Sequence, residues 1–244
     1  MKSQFSKQSD LYARYRPSYP KDMYEFIFSQ LQNKNTAWDS CTGTGQVASY
    51  LSKHFKKVYA NDISQDQLKH APEIKNVEYY NIPAEQTDFP SDYFDLITVA
   101  QAIHWLDFEK FYKEVNRTAG QDALIAVIGY GMVRINKKLN PLIDKFYKYN
   151  FSEYFSENRE YLDRHYATIP FPFDEIESPK FIQRIEWSIN DLEGYLNSWS
   201  TVQKFKEEEG FNPAEDLLKE IEPLWPEGEK KEVAFPVFLR LGRI

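Results

Sequence analysis

Asp39, Asp62, Glu85 and Gln101 each follow or close a short apolar run, and the first of them precedes a glycine-rich turn. Ala37 and Trp38 lead into Asp39, and Gly43-x-Gly45-x-x-Ala48 follows. Glycines at such positions allow backbone angles and a close approach that a side chain would block. From Gln46, the residues Val47, Ala48, Tyr50, Leu51 and Phe55 recur at helical spacing. Strand, glycine turn and helix therefore follow one another, with the helix dipole and free N–H groups aimed at the turn, as in a nucleotide-type binding loop. Asp62 comes 17 residues after Gly45, at the tip of the next strand. A carboxylate there can accept hydrogen bonds from both hydroxyls of a ribose. The plainer alternative is a cap for the next helix, a role that Ser64 could take instead. Ala84 and Glu85 fall where an adenine edge would lie, and Gln101 falls at the mouth of the site. An acid just before the turn repels a pyrophosphate and suits a ligand carrying an ammonium group.

Those residues need a scaffold, and the alternation of patterns supplies one. Strands are expected at 36–41, 57–61, 76–81, 95–100 and 123–128, with helices at 45–54, 64–71 and 107–118 between them. Strand 95–100 has a continuous apolar centre, as a strand covered on both faces should. Alternating strands and helices make a doubly wound α/β domain with a Rossmann-like, mostly parallel sheet. After Gly131 the pattern changes. Residues 132–178 lack strand signals, and the segment 131–178 reads as a helical cap insertion over the sheet's edge. Two late strands, 181–187 and 232–241, bring the expected sheet to seven. Pro236 in the last suits an edge or a bulge, and helices are expected at 190–204 and 213–222. An amphipathic helix covers 21–33. Before it, Tyr12, Tyr15 and Arg16 sit on a short helix closed by Pro17, which either packs on the domain or forms a lid at about 1–20 facing the ligand. The whole of 1–244 reads as one domain.

Composition narrows the function. A net charge of −7 with scattered Lys and Arg argues against a nucleic-acid partner. No run approaches the apolar length of a membrane helix, and the single cysteine, Cys41, excludes an internal disulfide. A cytoplasmic protein, monomeric or homodimeric and acting on a small molecule, is the expectation. The four histidines have no metal-ligand spacing, so no metal is expected. There is no Gly-x-Ser-x-Gly elbow and no Gly-Lys-Ser/Thr phosphate loop.

The glycine turn alone is shared by nicotinamide dehydrogenases, flavoproteins and methyltransferases. Asp39 shifts the balance toward S-adenosylmethionine, whose amino-acid end is zwitterionic and whose centre is a sulfonium. Here Asp39-Ser-Cys-Thr-Gly-Thr-Gly-Gln46 resembles the first motif of class I S-adenosylmethionine-dependent methyltransferases. Within that superfamily the chain is similar to the small-molecule group that includes trans-aconitate methyltransferase-like proteins. Tyr12-x-x-x-Arg16-Pro-x-Tyr-Pro20, Ala84-Glu85, Ala100-Gln-Ala-Ile-His-Trp-Leu-Asp107, Trp199-Ser200 and Leu241-Gly-Arg243 carry that likeness. The resemblance implies that Gly43 and its neighbours contact the methionine part of the cofactor. It implies that Asp62 holds the ribose, with Ile63 beside the adenine, that Ala84 and Glu85 border the adenine, and that Gln101 closes the methionine side. Cys41 departs from the family by replacing the first glycine of the turn. A cysteine there implies either ordinary backbone angles or altered cofactor binding.

His104 and Trp105 are either a packed structural pair or the base of an acceptor pocket. In the second reading His104 orients or deprotonates the acceptor, and Trp105 offers a π face to a cationic methyl donor. Tyr130, Arg134, Tyr154, Arg159, His165 and Trp199 are further candidates for the pocket face. The expected reaction is methyl transfer to a small organic molecule, with a carboxylic acid favoured by the resemblance. A nicotinamide-dependent oxidoreductase and a non-catalytic cofactor-binding module are the alternatives.

Overall fold

Residue parity along the central strands sets the two faces of the sheet. In β4 (Phe94–Ala100) Leu96 packs to one side while Ile97 and Val99 pack to the other. In β5 (Ala119–Tyr130) Leu124, Ala126 and Ile128 take the first side, and Ala123, Ile125 and Val127 the second. β1 (Thr36–Ser40) divides in the same way between Ala37 and Trp38. Side chains alternate across a strand, so an unbroken apolar run demands cover on both faces. The structure, a computed structural model, describes residues 14–151 and 158–244. β2 (Lys57–Asn61) and β3 (Val77–Tyr80) complete a parallel set in the order β3-β2-β1-β4-β5.

β8 (Lys231–Arg243) then runs antiparallel to β5. Its other edge holds β6 (Asp174–Ile176) and β7 (Phe181–Trp187), so the sheet has eight strands rather than the expected seven. β6 and β7 share one rank. The strand that 181–187 announces begins earlier, pairs from Asp174, and is interrupted at Glu177–Lys180. Pro179 lies in the interruption and has no N–H for the ladder, while Ser178 Oγ donates to Leu239 O at 2.9 Å. The segment 131–178 is therefore not strand-free. Pro236 is not on an outer strand, because β8 lies between β5 and β7. It sits one residue past the last β5 pair, Tyr130 with Val237, and its carbonyl accepts from Gly131 N at 2.8 Å. Its missing donor thus falls where β5 has ended.

On the face of Ala37 and Leu96 pack α1 (Lys21–Ser29) through Met23 and Ile27, and α2 (Gln46–Leu51) through Val47 and Leu51. The other face is covered by α4 (Phe108–Thr118) through Phe111 and Val115, and Asp107 caps that helix by accepting from Lys110 N. α3 (Gln65–Lys69) follows β2.

The cover over the carboxyl ends comes from two crossovers, not one. The first carries α5 (Asn140–Asn150) and α6 (Arg159–Asp163). The second, between β7 and β8, carries α7 (Ile189–Asn197), α8 (Ser200–Glu209) and α9 (Ala214–Ile221). The helix expected at 190–204 is broken in two. Ser198 Oγ bonds back to Tyr195 O, and Trp199 takes an extended conformation before α8 begins. The two crossovers interlock through rings, with Phe146 and Trp199 centroids 6.1 Å apart.

Gly129 in β5 lets Phe238 of β8 cross the sheet at close range. A Cβ at Gly129 would lie 2.2 Å from Phe238 Cε2 and 3.0 Å from Tyr166 Cε2. Gly129→Ala should destabilise the protein by roughly 1–3 kcal/mol through overpacking. Phe238→Leu in the same chain should recover part of that loss. Urea unfolding midpoints of the single and double variants check both expectations.

Candidate active site

The turn after β1 places left-handed residues at alternate positions. Cys41, Gly43 and Gly45 have φ of 53°, 58° and 75°. Cys41 therefore does not have ordinary angles; it holds the left-handed conformation that a glycine would adopt without a Cβ penalty. Gln101, just past β4, has φ 54° as well. β1 and β4 are the adjacent strands where the winding reverses direction, which is where open α/β sheets bind ligands.

Asp39 holds the turn in place. Its Oδ2 accepts from Thr42 Oγ1 within the turn and from Ala48 N at 3.0 Å, and its Oδ1 accepts from Thr98 Oγ1 of β4 at 2.8 Å. Ala48 is the third residue of α2, so this carboxylate caps a helix whose own N-cap, Gly45, has no side chain to do so. Asp39 is 1% exposed. Burial raises its carboxyl to about 6, and the bonds from Thr42, Thr98 and Ala48 oppose that rise.

Asp62 lies beside the turn rather than at a helix cap. Its Oδ2 accepts from Gly43 N at 2.9 Å and its Oδ1 from Ser64 N at 2.8 Å. Ser64 takes the cap of α3 by accepting from Gln67 N. Burial raises the Asp62 carboxyl above its usual range, against the backbone donors of Ser64, Gly43 and Ile63. Behind both acids, Trp38 Nε1 donates to the buried Asn61 Oδ1 at 2.6 Å, and Asn61 Nδ2 donates to Ile82 O. This ties β1 and β2 to the loop that carries Ala84 and Glu85.

A cavity of about 500 Å³ opens over these groups. Arg16, Asp39, Gly43, Asp62, Ile63, Ala84, Glu85, Gln101 and Trp105 all line it. Gly45 and Tyr15 do not. Gly45 shapes the turn, and a Cβ there would lie 2.7 Å from Tyr79 Oη. Tyr15 fills the notch left by Gly194 of α7, where a Cβ would meet its ring at 2.4 Å. Tyr19, four residues on, lines the cavity instead. Thr42, Thr44, Gln46 and Gln67 also line it. They come from the turn, from the start of α2 and from α3, and among them only Thr42, Thr44 and Gln46 lie near enough to the glycine motif to be marked by it.

A second cavity, of about 120 Å³, shares Arg16, Gln101 and Trp105 with the first. His104, Tyr130, Arg159 and Trp199 line it, together with Tyr147 and Tyr195. Arg16 donates to Tyr130 Oη and to Ser198 O, spanning the wall between the cavities. Arg159 Nε donates to Tyr147 Oη at 2.6 Å and pairs with Asp163. His104 Nδ1 is 2.8 Å from Tyr166 Oη. Burial, then the Arg159 guanidinium, lowers His104 to about 4, so it is a neutral ring near pH 7. Arg134 pairs with Asp144 and His165 stacks on Phe238, both away from the cavities. Tyr154 lies outside the described residues. Sequence reading missed Tyr147, Tyr166 and Tyr195, because no local spacing links them to the turn.

The larger cavity fits S-adenosylmethionine. Its volume is in the range of roughly 300–1,000 Å³ usual for small-ligand sites. Asp39 already satisfies the α2 amide that a pyrophosphate would seek and presents negative charge there, which disfavours a dinucleotide and suits a cationic ligand. Among the described residues no group of three or more His, Cys, Asp or Glu could hold a metal ion, and no helix is long and apolar enough to cross a membrane.

Fold and site together define a class I S-adenosylmethionine-dependent methyltransferase. A family model described as a methyltransferase domain matches residues 38–127. A Dictyostelium discoideum protein named as a methyltransferase is 32% identical over 247 residues, covering 98% of this chain and 94% of that one. A Saccharomyces cerevisiae protein named as an S-adenosylmethionine-dependent methyltransferase is 24% identical, covering 88% and 85%. A structure from Anaeromyxobacter dehalogenans, described as a type II methyltransferase, superposes with a TM-score of 0.87 at 29% identity, covering 94% and 98%. The chain belongs to this methyltransferase family.

A charged Asp39 would favour a ligand ammonium group, so cofactor affinity should weaken as pH falls through about 6, approaching tenfold per pH unit. Stability should respond in the opposite sense. A carboxyl raised in the fold favours folding most below its unfolded pKa, and that advantage fades as pH rises toward 6. Calorimetric titration with S-adenosylhomocysteine from pH 5 to 8 checks the first expectation, and Asp39→Asn should flatten the profile. Asp62→Ala should weaken the same binding by roughly 1.5–3 kcal/mol, the contribution of hydrogen bonds to a charged group.

Proposed function

We propose that this chain transfers a methyl group to a small anionic acceptor, a carboxylic acid, as the likeness to the trans-aconitate methyltransferase-like group suggests. The observation that carries the reading is the second cavity, which has Arg159 on its lining and shares Arg16, Gln101 and Trp105 with the cofactor cavity. Planar, forked donors suit a carboxylate. When bound, S-adenosylmethionine supplies an electrophilic methyl carbon on a sulfonium. Asp39, Gly43, Asp62, Ile63, Ala84, Glu85 and Gln101 would hold it from the sheet side, with Asp62 on the ribose and Asp39 toward the ammonium.

Arg159 and His104 would seat the acceptor so that one oxygen faces the wall at Gln101 and Trp105. Alignment is the main catalytic demand, because a carboxylate oxygen attacks with its own lone pair and needs no general base. A neutral His104 with so low a pKa is a weak base and a good hydrogen-bond partner, which agrees with an acceptor that arrives already ionised. Trp105, 37% exposed and lining both cavities, offers its ring face to the transferring cation.

A transfer screen with labelled S-adenosylmethionine against small carboxylic acids, amines and phenols tests the reading. Base-labile methyl esters are the expected products. Turnover of amines or phenols alone would overturn the acceptor class. For an acid that turns over, Arg159→Gln should raise KM about tenfold or more while cofactor affinity stays the same, since each ~1.4 kcal/mol is a factor of ten.

A further inference from the structure

We propose that Tyr166 is a positioning residue for His104. Its phenol O–H donates to Nδ1, so the ring proton sits on Nε2 and His104 offers the acceptor cavity a donor rather than a base. The assignment rests on the reading of the second cavity as the acceptor pocket.

The bond is buried and direct. Tyr166 is 0% exposed and His104 is 7% exposed, and Oη lies 2.8 Å from Nδ1. Several unusual features surround Tyr166. His165 and Tyr166 both hold left-handed backbone, with φ of 54° and 59°, although neither is glycine. Tyr166 N closes the end of α6 on Tyr161 O at 2.7 Å. Arg240 of β8 reaches across to donate to Tyr166 O and Ile169 O, while it pairs with Glu175. Gly129 leaves the space in β5 that the Tyr166 ring and Phe238 share, edge to face at 5.2 Å. Two left-handed residues, a glycine inside a buried strand and a guanidinium on the backbone surround this residue. A ring needed only as filler would not require its hydroxyl to meet a histidine nitrogen.

Chemistry decides the direction of the bond. A phenol is a stronger donor than a neutral imidazole N–H, and an imidazole nitrogen is a stronger acceptor than a phenol oxygen. The pair therefore settles as O–H···Nδ1, and the second nitrogen keeps its proton. Arg159, on the cavity side, opposes a second proton on the ring. An N–H at Nε2 extends the donor set of Arg16 and Arg159 toward an acceptor carboxylate.

The test is a two-bond proton–nitrogen correlation spectrum of protein labelled with nitrogen-15 histidine and saturated with S-adenosylhomocysteine. His104 is assigned by the signals missing from His104→Gln. The expected result is a single neutral tautomer, with Nε2 at the shift of a protonated nitrogen and Nδ1 at that of a bare one. In Tyr166→Phe, which keeps the ring, the two shifts should move toward each other as the tautomers mix. A proton on Nδ1 in the parent protein would overturn the proposal, as would an unchanged His104 tautomer in a folded Tyr166→Phe. If that variant does not fold, the parent spectrum alone decides. A wrong acceptor class would appear in the transfer screen and leave these resonances unmoved, so the two failures are distinguishable.

Discussion

The buried carboxylate of Asp39 is the constraint on which the rest of the site depends. One group accepts from the turn at Thr42, from the α2 amide at Ala48 and from β4 at Thr98. It therefore fixes the end of β1, the start of the following helix and the neighbouring strand at once. A buried charge is tolerated only when its oxygens are satisfied. Here the donors that satisfy it are also the elements that must be held around the cofactor. With its amide taken, α2 no longer presents a phosphate site, and the charge remains at the cavity wall to favour a cation.

Charge is distributed in opposite senses across the two cavities. Asp39, Asp62 and Glu85 line the first cavity and Arg159 the second, with Arg16 on the boundary the two share. That polarity fits the proposed pairing of a cationic methyl donor with an anionic acceptor. Gln101 and Trp105 stand on the dividing wall, with Gln101 held in left-handed backbone and its Nε2 donating to Tyr130 O. Strain of this kind is found where surrounding structure determines a position that a free chain would avoid. It persists because β4 and β5 are paired on both sides and cannot relax.

Most of the parallel sheet was legible in the residues. The strands expected at 57–61 and 181–187, and the helix expected at 107–118 and found at Phe108–Thr118, follow from periodicity and caps that act over a few residues. The edge of the sheet was less legible. Whether Asp174–Ile176 forms a strand depends on a partner more than sixty residues away in β8, and nothing within the triplet announces it. The break of α7 from α8 depends likewise on Trp199 turning inward onto Phe146 and Tyr195. The packing of Tyr15 was not legible either, because the notch it fills belongs to Gly194 on another element.

By itself, the sequence determined the class of protein, the order of its central elements and the acids around the glycine turn. Those features sit inside single strand–turn–helix units, where spacing and turn chemistry act locally. Tertiary structure alone decided which side chains meet around the second cavity. Arg16, His104, Tyr130, Arg159, Tyr166 and Trp199 come from five separate stretches of chain, and only the packing of the two crossovers onto the N-terminal segment and the ends of β4 and β5 brings them together.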